Sequence, residues 1–394
     1  MMSAPIYFDN AATTPLCAAA KDAMCAAMEI YGNPSSLHTL GVEAENLASD
    51  ARRIILTSLG VRGITKLTEK QLIFTASGTE ADNLALLGAV AAKNYGAGKK
   101  IIISDSEHSA VLETAAELER RGLTVVRIPT VGGEVDYAAI EREADKNTVL
   151  ASFMLVNNET GAIYDIKRIG SIVRSANPDA LIHADCVQGY MNVPFTDKSL
   201  GADMITLSAH KIGGPKGVGA LYVTADVLKK RQLVPIIHGG GQESGMRSGT
   251  ENLLGIVGFG AAVKSALASR GEDVTKKKEL REYIISALSK GEKFDGVRLN
   301  LPKNAAPHVI SITLPNIKSE TMLHALSRDG IFVSSGSACS SNTGHKSHVL
   351  RAFGLSEKHA DCTIRVSLGV QNTKEEADRF LASLENAIAT LVRI

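Results

Sequence analysis

Short apolar runs alternate with helical stretches along the first two-thirds of the chain. "QLIFTAS" (71–77) reads as a strand and "GTEADNLALLGAVAAKNYG" as the helix that follows it. "KIIISD" (100–105) is again strand-like, and "AVLETAAELERRG" after it is helical with its charges on one face. "TVVRIP", "TVLASFMLV", "ALIHAD" and "DMITLSAH" continue the series, with helical segments near 136–146 and 165–176. Strands separated by helices pair in parallel through crossover helices, which predicts an α/β sheet buried on both faces. After about residue 262 the pattern changes. A long charged helix (roughly 251–290) leads to "VISITLP", "FVSSGSA" and "TIRVSLG", with helices between them. The expected division is a large domain over 16–261 and a smaller α+β domain formed by 1–15 and 262–394.

Composition changes this picture little. The chain has 394 residues, 44% hydrophobic and 22% charged, as expected of a globular protein with two domains. Lys and Arg number 43 against 42 for Asp and Glu, so a general nucleic-acid or membrane-surface binder is not indicated. No run of about 18 apolar residues predicts a membrane span. The start "MMSAPIYFDNAATTP" lacks the basic and apolar parts of a signal peptide. The five cysteines include no CxxC pair, so neither a disulfide framework nor a metal site is expected. A reducing cytoplasm is the simplest setting.

Ligands of open α/β sheets bind beyond the carboxyl ends of the strands. Five such ends carry clustered polar residues: "SGTEADN", "SEHSAV", "NNETG", "DCVQ" and "SAHKIGGPKG". In the first, Ser77, Gly78 and Thr79 stand where strand turns into helix, a place suited to a phosphate or simply to an N-cap from Thr79. Neither GxxxxGK[ST] nor GxGxxG is present. Lys211, behind an apolar strand and before a Gly-rich turn, suits a carbonyl-reactive amine or a phosphate-binding point charge. Asp185 suits a buried cationic partner such as a pyridine nitrogen, or a helix cap. His108 could stack on an aromatic cofactor or cap locally. Phosphate cradle, lysine, aspartate and histidine together point to pyridoxal 5'-phosphate.

These residues belong to a longer series: "YFDNAATTP" (7–15), "GNPSSLH" (32–38), "EHSAVL" (107–112), "VNNETG" (156–161), "HADCVQ" (183–188), "SAHKIGGPKGVGALYV" (208–223), "HGGGQESGMRSGTEN" (238–252), "SSGSACSS" (334–341) and "IRVSLG" (364–369). With them the chain resembles the cysteine desulfurases of the class V pyridoxal-phosphate aminotransferase family, over essentially its whole length. The resemblance implies fold type I and conversion of L-cysteine to L-alanine. It makes Lys211 the Schiff-base lysine, Asp185 the partner of the ring nitrogen and Gln188 that of the ring hydroxyl. It also implies that His108 stacks on the ring and serves as acid–base helper, and that Asn158 contacts cofactor and substrate. Gly78, Thr79, Ser208 and His210 would hold the phosphate. Thr250 would reach the phosphate of a neighbouring subunit, which implies a homodimer. Arg365 would take the substrate carboxylate, a fork-shaped task suited to Arg.

Cys339 lies among serines and glycines, where a packing cysteine is out of place. The resemblance makes it the sulfur-accepting nucleophile of the long-loop branch, which passes persulfide sulfur to iron–sulfur scaffolds or tRNA-thiolation proteins. Two positions depart from the family pattern. Ser77 stands where Gly is common, and Cys186 follows Asp185 where a small non-thiol residue is usual. The alternatives are a selenocysteine lyase or another class V transaminase or lyase, and, from a different class, a sulfur carrier without catalysis.

Overall fold

In a computed structural model the structure describes residues 4–93, 96, 98–290, 292–335 and 347–391. The apolar runs form strands numbered here along the chain. They are β1 (Ile6–Tyr7), β2 (Leu72–Thr75), β3 (Lys100–Ser104), β4 (Thr124–Ile128), β5 (Thr148–Met154), β6 (Leu181–Asp185), β7 (Met204–Ser208) and β8 (Gly219–Val223). After the long helix Leu253–Lys290 come β9 (Arg298–Leu299), β10 (Val309–Thr313), β11 (Ile331–Phe332), β12 (Ser334–Ser335) and β13 (Thr363–Ser367).

A seven-stranded sheet runs in the order β2-β8-β7-β6-β5-β3-β4. It is parallel except for β8, which pairs antiparallel with both β2 and β7. Alternate residues feed opposite layers, because a strand turns successive side chains to opposite faces. Ile102 of β3 joins Ile55, Leu56 and Leu59, from the helix Thr39–Ser58 and its C-cap, on one side. Ile101 and Ile103 join Leu84 and Leu86 of the helix Gly78–Ala92, with Val111 and Leu118 of the helix Ser109–Arg120, on the other. Each such aliphatic side chain contributes roughly 1.5–3 kcal/mol on full burial.

The C-terminal part builds a second core. Its sheet runs β12-β13-β10-β9, and β1 pairs in parallel with β11. Phe8, just past β1, meets Phe380 edge-on at 5.8 Å between ring centroids. Phe380 and Leu384 lie on the helix Lys374–Thr390, which opens with a capping box of Thr373 and Glu376. The segment "FVSSGSA" is not one strand: Phe332 pairs with the N-terminal strand and Ser334 with β13, so the chain changes sheets at Val333.

The 38-residue helix Leu253–Lys290, about 57 Å long at 1.5 Å per residue, serves both cores. Leu253, Ile256, Phe259 and Val263 pack beneath the large sheet, and Leu280, Ile284 and Leu288 pack in the second core. An apolar window of this helix matches a membrane span in length and composition. Part of that apolarity lies in the core, 39% of the window being buried.

Candidate active site

β2, β3, β5, β6 and β7 share one direction, so their carboxyl ends open on one edge of the sheet. At the end of β2, Ser77 caps the helix Gly78–Ala92, its side chain accepting from Glu80 N–H at 3.1 Å. The cap is thus Ser77, and Thr79 is left exposed in the first turn. Gly78 is buried, and a Cβ there would stand 2.9 Å from Val187 Cγ2 and 3.6 Å from Ser208 Cβ. Bare backbone and helix N-terminus therefore meet the end of β7, where Ser208 is buried. This is an anion cradle that a larger residue would fill.

The N-terminal segment closes the site from the other side. Lys211 Nζ donates to the carbonyls of Ala11 and Ala12 at 2.6 and 2.9 Å. Gln188 Nε2 donates to the same Ala11 carbonyl at 2.7 Å, so amine and amide converge on one oxygen. His210 Nδ1 lies 3.2 Å from Thr13 Oγ1, and burial with Lys211 and Lys216 nearby pushes this imidazole down to about 4. The backbone carbonyls that organise Lys211 had no signal in a reading by side-chain type.

Asp185 ends β6, buried, and accepts from Val187 N–H at 2.9 Å. Burial raises its pKa, while His108, that hydrogen bond and Lys211 oppose the rise. His108 caps the helix Ser109–Arg120: Nδ1 accepts from Ala110 N–H at 3.1 Å, which puts the proton of the neutral ring on Nε2. Burial is the main cause of its lowered pKa. Local capping and a place beside Asp185 and Lys211 thus coexist in one residue.

Further buried groups lie beneath these, unforeseen from the sequence. Glu107 accepts from Ser104 Oγ and Met154 N–H through Oε1, Oε2 has no partner, and burial pushes it up to about 8. Asp82 is raised well above its ordinary range by burial and by Asp185. His183 Nε2 stands 3.6 Å from Asp82 Oδ1, yet burial holds the imidazole down at about 3. The imidazole is neutral, so the contact is not an ion pair. The i, i+2 spacing of His183 and Asp185 on a strand was the available signal.

Arg365 of β13 is buried; Nη1 donates to the Asn158 carbonyl at 2.8 Å and Nη2 to Asp9 Oδ1 at 2.9 Å. Its Nε and the Oδ1 of Asn158 are buried without partners among the described residues. Next to Asn158, Glu159 accepts from Ser347 Oγ at 2.6 Å and is pushed up to about 7 by burial. Cys186 is fully buried, and burial with Asp185 and Asp82 nearby raises its thiol well above the ordinary range, which suits packing. Thr250 is exposed on its loop. Cys339 lies outside the described residues.

The residues fit pyridoxal phosphate. The bare helix N-terminus at Gly78 suits its phosphate, buried Asp185 its ring nitrogen, Lys211 its carbonyl carbon, and Asn158 Oδ1, without a partner among the described residues, a donor from a bound group. The sequence model of the family described as aminotransferase class-V matches residues 6–380. A cysteine desulfurase IscS of Dictyoglomus turgidum is 38% identical over 393 residues, covering 99% of this chain and 96% of that protein. A solved NifS-like protein superposes with a TM-score of 0.89 at 35% identity, covering 98% of this chain and all of the other. A solved SspA in complex with cysteine gives a TM-score of 0.77 at 32% identity, over 93% of this chain and all of the other.

Proposed function

The chain belongs to the aminotransferase class-V family, and on that premise we propose that it is a pyridoxal-phosphate-dependent cysteine desulfurase. It converts L-cysteine to L-alanine and keeps the sulfur as a persulfide on Cys339. The observation that carries this reading is Lys211 at the end of β7 within the electrostatic reach of buried Asp185 at the end of β6. Bound pyridoxal phosphate supplies an electron sink for the α-carbon of an amino acid.

With pyridoxal phosphate bound, Lys211 Nζ would hold its carbonyl carbon and, as a free amine, would take the substrate's α-proton. Asp185 would keep the ring nitrogen protonated, its carboxylate held against the raising effect of burial by the Val187 N–H bond and by Lys211 nearby. His108 would lie against the ring and assist proton transfer through Nε2. Gln188 donates to the ring hydroxyl. Gly78, Thr79, Ser208 and His210 hold the phosphate. Exposed Thr250 reaches the phosphate of a second copy, making the enzyme a homodimer. Asn158 and Arg365 bind the substrate, Arg365 through its carboxylate. Cys339 thiolate would attack the substrate sulfur: the S–S bond forms, the C–S bond breaks, the pair left on the former β-carbon takes a proton, and the α-carbon regains the proton that Lys211 removed, giving alanine. The persulfide then serves an iron–sulfur scaffold or a tRNA-thiolation protein in the reducing cytoplasm. The cysteine desulfurases among the relatives favour this reading over a selenocysteine lyase.

The purified protein should release alanine from L-cysteine and carry one added sulfur on Cys339, removable by a thiol reductant and mapped by peptide mass. Lys211→Ala should lose steady-state turnover. Cys339→Ser should keep the visible band and its shift with cysteine, yet release almost no alanine. Near wild-type turnover by Lys211→Ala, or the added sulfur on Cys186 with Cys339→Ser active, would overturn the proposal.

A further inference from the structure

His308 stands just before β10, buried, with its carbonyl tied to Leu368 N–H at 2.8 Å. Its Nε2 lies 3.4 Å from Gln188 Oε1, and its Nδ1 is buried without a partner among the described residues. Burial and the surrounding Lys277, Arg365, Arg281 and Lys211 push the ring down to about 3, so it is neutral and carries one N–H. An amide oxygen only accepts, so that proton sits on Nε2 and the orphan Nδ1 is the bare nitrogen. The opposite end of the amide is fixed as well, because Gln188 Nε2 donates to the Ala11 carbonyl that also receives Lys211 Nζ. Flipping the amide would set oxygen against oxygen at Ala11 and would move the His308 proton to Nδ1, where no partner among the described residues accepts it. The root of the side chain is held too: Asn192 Nδ2 donates to the Gln188 carbonyl at 3.2 Å, and Asn192 Oδ1 accepts from Lys277 Nζ at 2.7 Å.

We propose that His308 is a positioning residue that locks the Gln188 amide with its N–H groups toward Lys211 and the cofactor, so that the second amide proton is presented to the cofactor's ring oxygen. The inference rests on the placing of Gln188 against that oxygen under the proposed function. A hydrogen bond donated there steadies the oxygen as an anion and weakens its hold on the proton it shares. Losing the donor therefore raises the pH at which the visible band of the bound cofactor titrates.

The test follows that titration by absorbance in the holoenzyme, without turnover. His308→Leu removes the donor and should raise the midpoint by about half a unit to one unit, the size expected for one neutral hydrogen bond. His308→Phe fills the ring volume without a donor and should do the same, which keeps the test alive if the leucine variant misfolds. His308→Gln restores an N–H near the Nε2 position and should return the midpoint to the wild-type value. On a Gln188→Ala background His308→Leu should add no further shift, because the two act on one contact. A midpoint moved by Gln188→Ala but untouched by His308→Leu and His308→Phe would overturn the inference. An equal shift from His308→Leu with and without Gln188 would overturn it as well, leaving a general packing effect. A midpoint unmoved by Gln188→Ala would overturn the placing of Gln188 itself, and the inference with it.

Discussion

Glu107→Gln should make the protein more stable at alkaline pH while changing little at acid pH. The Glu107 carboxyl is buried at the end of β3, with Oε1 accepting from Ser104 Oγ and Met154 N–H and Oε2 unpartnered. Burial pushes its pKa from 4.5 to about 8. A carboxyl that holds its proton more tightly when folded takes up a proton on folding. Its contribution is complete below about pH 4.5 and is lost as pH rises to about 8. At 1.36 kcal/mol per unit, the shift corresponds to about 4–5 kcal/mol of stability lost across that window. Gln keeps the shape and the acceptor oxygen, cannot ionise, and so does not suffer the loss. Urea unfolding of both holoenzymes at half-unit steps from pH 4.5 to 9 reads the difference, since other titrating groups are common to both. The gap should widen in favour of Glu107→Gln up to about pH 8 and then level. Parallel curves would refute the reasoning, as would a gap that closes with rising pH.

Two further outcomes follow from the geometry. Gly78→Ala puts a Cβ 2.9 Å from Val187 Cγ2 without disturbing the helix, an overpacking that costs about 1–3 kcal/mol. Its pyridoxal phosphate affinity should fall roughly tenfold or more in an absorbance titration, and Val187→Ala should restore most of it. Arg365→Lys keeps a charge for Asp9 but loses the planar fork. Its apparent KM for cysteine should rise roughly tenfold to a hundredfold, matching about 1.5–3 kcal/mol for charged hydrogen bonds, with kcat much less affected.

Apolar runs made the sheet legible because a strand buried on both faces reads as continuous hydrophobicity, and β3, β5, β6 and β7 are of that kind. β8 was less legible: "GALYV" is a short run behind a glycine-rich turn, and nothing local tells that it inserts antiparallel between β2 and β7. The change of sheets at Val333 was hidden for the same reason, since partners far away in the chain decide it. Lys211 and Asp185 announced themselves by following apolar strands. Glu107, Asp82 and His308 did not, because their chemistry comes from burial that only the assembled layers create. The Ala11 carbonyl was beyond any side-chain alphabet.

The N-terminal segment that receives Lys211 is itself held by the far end of the chain. Ile6 pairs with Ile331, the Ser367 carbonyl accepts from Asn10 N–H, and Asp9 receives Arg365. Residues 6–12 therefore leave the ribosome well before the partners that fix their places. At about 5–20 residues per second, the stretch from Asn10 to Ser367 takes roughly 20–70 seconds to synthesise. Throughout that interval a nascent chain can complete its large sheet and still have no settled floor under its lysine. Acquisition of a finished catalytic centre is thereby tied to translation having passed residue 367.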